Sequence, residues 1–123
     1  MTPPSHRRIL VIDDAEHLRT VLQLTLQYQG YQVTTAADGQ AGLEAARAGA
    51  FDLVFCDIEM PVMNGIEFVK RYRAEVSRET PILMLTAEGG ELVNQALAAG
   101  ATSALVKPFE PIRLLREIEQ RLG

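Results

Sequence analysis

Five times along this chain a short apolar run gives way to a stretch with helical periodicity, and that alternation leaves few folds open. The runs are "RILVIDD" (8–14), "YQVTTAA" (31–37), "FDLVFCD" (51–57), "TPILMLT" (80–86) and "TSALV" (102–106), each short enough and apolar enough to be a strand. The first intervening stretch sets Leu18, Val21, Leu22, Thr25 and Leu26 at helical spacing and stops at Gly30. An Ala-rich helix follows from Asp38, and a third places Ile66, Val69, Tyr72 and Val76 on one face. The fourth spans 88–100 and closes at Gly100; the last spans 110–122, with Ile112, Leu115, Ile118 and Leu122 expected to face inward. Strands alternating with helices bury a parallel sheet on both faces, and right-handed crossovers restrict the winding. The fold expected is α/β: a doubly wound (βα)5 three-layer sandwich around a five-stranded parallel sheet.

At 123 residues the chain makes one domain with a real core. Residues 1–7, with Pro3-Pro4, form an unordered N-terminal segment in this reading, and 8–123 form the domain. A net charge of -4 argues against binding nucleic acid directly or an anionic membrane surface through the whole domain. The single cysteine, Cys56, lies inside an apolar run and reads as a small buried hydrophobe; no disulfide framework is available, which suits a reducing cytoplasm. No segment has the roughly 18 apolar residues of a membrane helix, and the start lacks a signal-peptide core.

Sites in doubly wound sheets form beyond the carboxyl ends of the strands, so the polar residues there carry the functional information. They are Asp13 and Asp14 after the first strand, Asp57 after the third, Thr86 after the fourth and Lys107 after the fifth. Three carboxylates brought together repel one another and do not all stay ionised without a cation. An oxygen-only ligand set without His or Cys favours a hard ion such as Mg²⁺, with Mn²⁺ as the alternative. A divalent ion, an ammonium and a hydroxyl around one carboxylate stabilise charge on a transferring phosphoryl group, and a carboxylate can accept that group as an acyl phosphate. Asp57 has no acidic neighbour in sequence and projects from the end of a central strand, so it is the nucleophile in this reading. Separately, each residue has a plainer explanation: Asp14 or Thr86 as a helix cap, Lys107 as a solvated strand-end charge, Pro108 as a helix-start proline. Independent caps have no reason to fall together at four strand ends. His17, in a helix's first turn, His6, Met60 and Met63 are assigned no chemistry.

The motifs "IDDAEH" (12–17), "DIEMPVMNG" (57–65), "LTAEG" (85–89) and "VKPF" (106–109) occur in the order and spacing of a known family. From Arg8 to Leu122 the chain resembles the CheY-like receiver domain of two-component response regulators. The resemblance implies the flavodoxin-like strand order 2-1-3-4-5. It implies that Asp57 accepts a phosphoryl group from the phosphohistidine of a sensor histidine kinase or histidine phosphotransfer protein. It implies that Asp13 and Asp14 hold Mg²⁺ with Asp57 and the backbone carbonyl of Glu59, Asp14 being the direct ligand of the pair. Lys107 is then the partner of the phosphoryl group, Thr86 the hydroxyl that moves to it, and Lys107–Pro108 a bond that is often cis. The output is binding of a downstream protein or effector domain by the face made of the fourth helix, fifth strand and fifth helix.

Two features depart from or vary within that family. The position three residues before the lysine, usually Tyr or Phe, is Ala104, so the aromatic switch coupled to the threonine is missing. Glu59 and Glu88 occupy the positions that tune the lifetime of the phosphoryl group. A small-molecule phosphatase or phosphotransferase would use similar aspartate chemistry but needs a cap insertion, and every connection here is short. A scaffold without phosphorylation is disfavoured because the acceptor-site residues are all present. The chain ends one residue past the last helix, so an effector domain is not expected within it.

Overall fold

The computed structural model describes residues 6–122. Its elements alternate without exception: β1 (Arg8–Ile12), α1 (Glu16–Tyr28), β2 (Gln32–Ala36), α2 (Gly39–Ala48), β3 (Leu53–Asp57), α3 (Gly65–Glu75), β4 (Ile82–Thr86), α4 (Glu91–Ala99), β5 (Ser103–Val106) and α5 (Pro111–Leu122). The strands form one parallel sheet in the order β2-β1-β3-β4-β5. Both expectations, the doubly wound fold and its order, hold. The register aligns Ile12 with Cys56, Asp57 with Leu85, and Thr86 with Val106, which brings the carboxyl ends of four strands level with one another.

Side-chain alternation along the strands divides the core in two. Ile9, Val11, Leu53, Phe55, Leu83, Leu85 and Leu105 pack beneath α1 and α5, against Leu22, Leu26, Leu114 and Ile118. Leu10, Ile12, Val54, Cys56, Ile82 and Met84 pack on the other face, against Leu43, Phe68, Val69, Tyr72 and Ala96. Asp38 caps α2 by accepting the Ala41 N–H at 2.8 Å, and Asn64 caps α3 by accepting the Glu67 N–H at 2.9 Å. Residues 1–5 of the segment expected to be unordered lie outside the described residues. Arg7 is already tied to the body, donating to the Leu122 carbonyl at 3.0 Å while its own carbonyl accepts the Gln32 N–H at 3.0 Å.

Helix faces differ in detail from the periodicity. In α1, Leu22 and Leu26 are buried but Val21 is exposed; in α3, Phe68 joins Val69 and Tyr72 inside while Val76 caps the helix and faces out. The largest correction is in α5, where Leu114, Glu117 and Ile118 are buried and Ile112 is 51% exposed. Ile112 lies six residues from Ile118, about 120° round the helix, so the two cannot share an inward face. Leu115 and Leu122 pack at the edge of that core. Helix α4 begins at Glu91, three residues later than the sequence suggested, because the chain first turns through Gly90 at φ 82°.

Truncating Leu114 to Ala should therefore cost about 3 kcal/mol in a urea titration, as expected for a buried leucine. Truncating Ile112 should change stability by no more than about 0.5 kcal/mol. Equal losses at the two positions would show that the periodic face is the buried one.

Candidate functional site

The acidic end of the sheet is built by strands that stop together. Asp13 follows β1 and is wholly buried: its N–H donates to the Ala36 carbonyl at 3.1 Å, and its Oδ1 accepts the Ala15 N–H at 2.9 Å. Its Oδ2 accepts from Lys107 Nζ at 3.0 Å. Asp57 is the last residue of β3, 7% exposed, with Oδ1 3.6 Å from the same ammonium. Asp14 is exposed, and one carboxylate oxygen from each of Asp13, Asp14 and Asp57 lies within 4.8 Å of the others. Two of the three acids thus share one lysine. Burial first, and then the charge of Asp13, push the Asp57 carboxyl up to about 6; Lys107 works against this and Asp14 adds to it. Oxygen donors this close, with one ammonium among them, suit a hard divalent cation.

Tight packing fixes where Asp57 sits. Gly65 opens α3 against β3, and a Cβ there would meet the Asp57 carbonyl at 2.2 Å. The Gly65 N–H donates to the Ile58 carbonyl at 2.7 Å. Between them, Val62 takes φ 68° in a three-residue turn closed by the Met63 N–H on the Pro61 carbonyl at 2.7 Å. The Met63 carbonyl in turn accepts the Gly39 N–H at 3.1 Å, and a Cβ on Gly39 would strike that oxygen at 2.4 Å. The loop after β3 is thereby wedged between α2 and α3.

Thr86 is buried at the end of β4 but does not contact the acids. Its Oγ donates to the Glu88 carbonyl at 2.8 Å and accepts the Glu88 N–H at 3.2 Å. It does not cap α4, whose first turn follows Gly90 without a side-chain cap. Asp14 likewise does not cap α1, where Ala15 is the cap residue. Among the described residues, Glu59 and Glu88 are exposed and their carboxylates lie outside the acidic cluster. Ala104 is half-buried against the α4 side of the core, and the Lys107–Pro108 bond is cis. Met63 is buried and Met60 packs against the same core; His6 and His17 are exposed. Sequence reasoning missed Arg19, whose Nη1 donates to the Asp13 carbonyl at 2.8 Å. The available signal was a cation on the polar side of the helix that follows the paired acids.

The sequence model of the response regulator receiver domain matches residues 9–119. The chain is 44% identical to the chemotaxis response regulator CheY4 of Vibrio cholerae, covering 93% of this chain and 97% of that one at a TM-score of 0.87. It is 32% identical to the receiver domain of sensor histidine kinase PA1611 from Pseudomonas aeruginosa, covering 95% of this chain and 98% of that one at a TM-score of 0.88. That structure has a magnesium ion coordinated in its active site cleft. Over 118 residues it is 39% identical to the alkaline phosphatase synthesis transcriptional regulatory protein PhoP of Bacillus subtilis, covering 95% of this chain and 47% of that protein. The chain spans about half the length of the curated relatives it matches. It belongs to the response regulator receiver family of two-component systems, whose function is to accept a phosphoryl group and act as a signalling switch. No helix among the described residues is long and apolar enough to cross a membrane.

The raised Asp57 carboxyl has a sign. The folded state holds this proton more tightly than the unfolded chain does, so ionising Asp57 costs stability. The cost is absent below the unfolded value of 3.8, grows as pH rises toward about 6, and is complete above it. Asp57→Asn should therefore stabilise the metal-free protein by about 2 kcal/mol at pH 7, with the gain vanishing near pH 4. Urea titrations at the two pH values check this; a gain that is the same at both would contradict it.

Proposed function

We propose that Asp57 is the phosphoacceptor and that the cluster around it performs Mg²⁺-dependent transfer from the phosphohistidine of a sensor histidine kinase or histidine phosphotransfer protein. The observation that carries this reading is the placement of Asp57 at the end of a central strand, among Asp13, Asp14 and Lys107. An Asp57 carboxyl pushed up to about 6 is still about nine-tenths ionised at pH 7, and more nucleophilic than an ordinary carboxylate. Its free oxygen attacks phosphorus, the P–N bond breaks and imidazole leaves. Asp13, Asp14, Asp57 and the Glu59 backbone carbonyl would hold the ion, with Asp14, the exposed member of its pair, as direct ligand; Mn²⁺ fits the same oxygen set. When bound, Mg²⁺ supplies the charge that offsets the phosphoryl oxygens in the transition state. Lys107 sits between Asp13 and Asp57 and has only to tilt to meet a phosphoryl oxygen. Thr86 would exchange the Glu88 carbonyl for the phosphoryl group, which frees the turn it now closes. Exposed Glu59 and Glu88 flank the site at positions that tune the lifetime, Glu59 either by repelling attacking anions or by shifting the metal shell.

Output then passes to a downstream protein or effector domain through the face of α4, β5 and α5, where Leu97, Val106 and Ile112 are exposed. A phosphodonor of this class places the domain in the cytoplasm, and its partners are proteins rather than nucleic acid or membrane.

Incubation with acetyl phosphate and Mg²⁺ should add one hydroxylamine-labile phosphoryl group. Asp57→Asn should abolish it, Lys107→Ala should slow it by roughly 100-fold, and Asp14→Ala should weaken Mg²⁺ binding and labelling together. Full labelling of Asp57→Asn would move the acceptor elsewhere.

Ala104 has no χ1 with which to report the phosphoryl group, so coupling must run through the loop after Thr86, where Gly89 and Gly90 give the backbone freedom. Beryllofluoride, a stand-in for the phosphoryl group, should change amide exchange more at residues 86–91 than at Ala104. The reverse order would place the coupling in β5.

A further inference from the structure

We infer that Arg19 is a positioning residue for the paired acids, acting through the peptide bond that joins Asp13 to Asp14. The inference rests on the reading of Asp14 as a metal ligand. The Asp13 N–H, Oδ1 and Oδ2 are engaged by the Ala36 carbonyl, the Ala15 N–H and Lys107. Its carbonyl oxygen lies beyond the last ladder pair of β1 and would otherwise be free to turn. Arg19 Nη1 holds that oxygen at 2.8 Å, a charge-assisted bond.

That oxygen belongs to the plane of the Asp13–Asp14 peptide. Rotating the plane changes ψ of Asp13 and φ of Asp14 together, and so swings the exposed Asp14 carboxylate relative to Asp13 and Asp57. Arg19 stands on α1, anchored by its own N–H on the Ala15 carbonyl at 3.0 Å, so the restraint comes from a regular element and not from the loop. It makes no ion pair among the described residues, so it brings a positive charge to the acidic end without occupying a carboxylate oxygen. None of the three carboxylates is taken up by Arg19 itself.

The test uses Arg19→Ala, Arg19→Lys, Asp14→Asn and the double variant Arg19→Ala/Asp14→Asn. Mg²⁺ titrations followed by amide NMR should show affinity weakened at least about tenfold in Arg19→Ala, the size expected when a residue holding a ligand is removed. Arg19→Lys should recover most of it. Adding Arg19→Ala to Asp14→Asn should cost nothing further, because the effect of Arg19 passes through Asp14. In the metal-free protein, Arg19→Ala should speed exchange of the Ala15 amide, which depends on Asp13 staying in place, and leave the Leu22 and Leu26 amides of α1 protected. Unchanged Mg²⁺ affinity, additive losses in the double variant, or lost protection along the whole of α1 would each overturn the inference. Should the wild-type chain bind no Mg²⁺, the metal reading of the site fails, and Ala15 exchange decides on Arg19: an unchanged rate refutes its positioning role.

Discussion

Repulsion among three carboxylates at one end of a parallel sheet is the constraint on which the rest of this structure depends. The register of β1 on β3, with Ile12 opposite Cys56, brings Asp13 and Asp57 side by side. Lys107 relieves part of the repulsion, from the far edge strand, by lying 3.0 Å from Asp13 and 3.6 Å from Asp57. Burial comes first in raising the Asp57 carboxyl, the charge of Asp13 adds to it, and the lysine offsets only part. Asp13, fully buried, holds the lysine at hydrogen-bonding distance and accepts a backbone N–H as well. Asp57 receives the longer contact and keeps its carboxyl raised toward about 6.

A carboxylate in that position is poised for chemistry because its charge is poorly compensated. A cation or a phosphoryl group with its counter-ion relieves the same imbalance. On the proposed reading, cation binding would draw on this imbalance, which is built in when the sheet folds. Thr86 stands apart from it: its hydroxyl is engaged by the Glu88 backbone, which commits it to a local turn.

Much of this was legible in the sequence because strand ends obey simple parity. Residues 9 and 11, 53 and 55, and 105 face α1 and α5; Asp57 continues that odd-numbered series at the end of β3, and Asp13 and Lys107 continue it just past β1 and β5. Thr86 continues the even series of Ile82 and Met84, which face the other way, and this accounts for its turning to Glu88. The α5 face was less legible. Its apolar residues support more than one helical stripe, and docking against α1 and the sheet selects Leu114 and Ile118 over Ile112. Arg19 and Gly65 escaped for another reason. Their contacts are with backbone oxygens of Asp13 and Asp57, and backbone partners leave no complementary residue type in the sequence to be noticed.

The missing Cβ of Gly65 has a mechanical consequence. With α3 seated directly on the Asp57 carbonyl and the following loop wedged against Gly39, Asp57 rests on a stiff mount. Force applied to its side chain cannot be absorbed by shifting β3 along its axis. It has to pass sideways, into the part of the rim with the most compliance, and around Gly89 and Gly90 nothing lies within 4 Å of where a side chain would start. The contrast between a rigid seat and a slack neighbour would make the deformation directional, so that, on the proposed reading, a chemical event at one oxygen would be converted into displacement at a single corner of the domain.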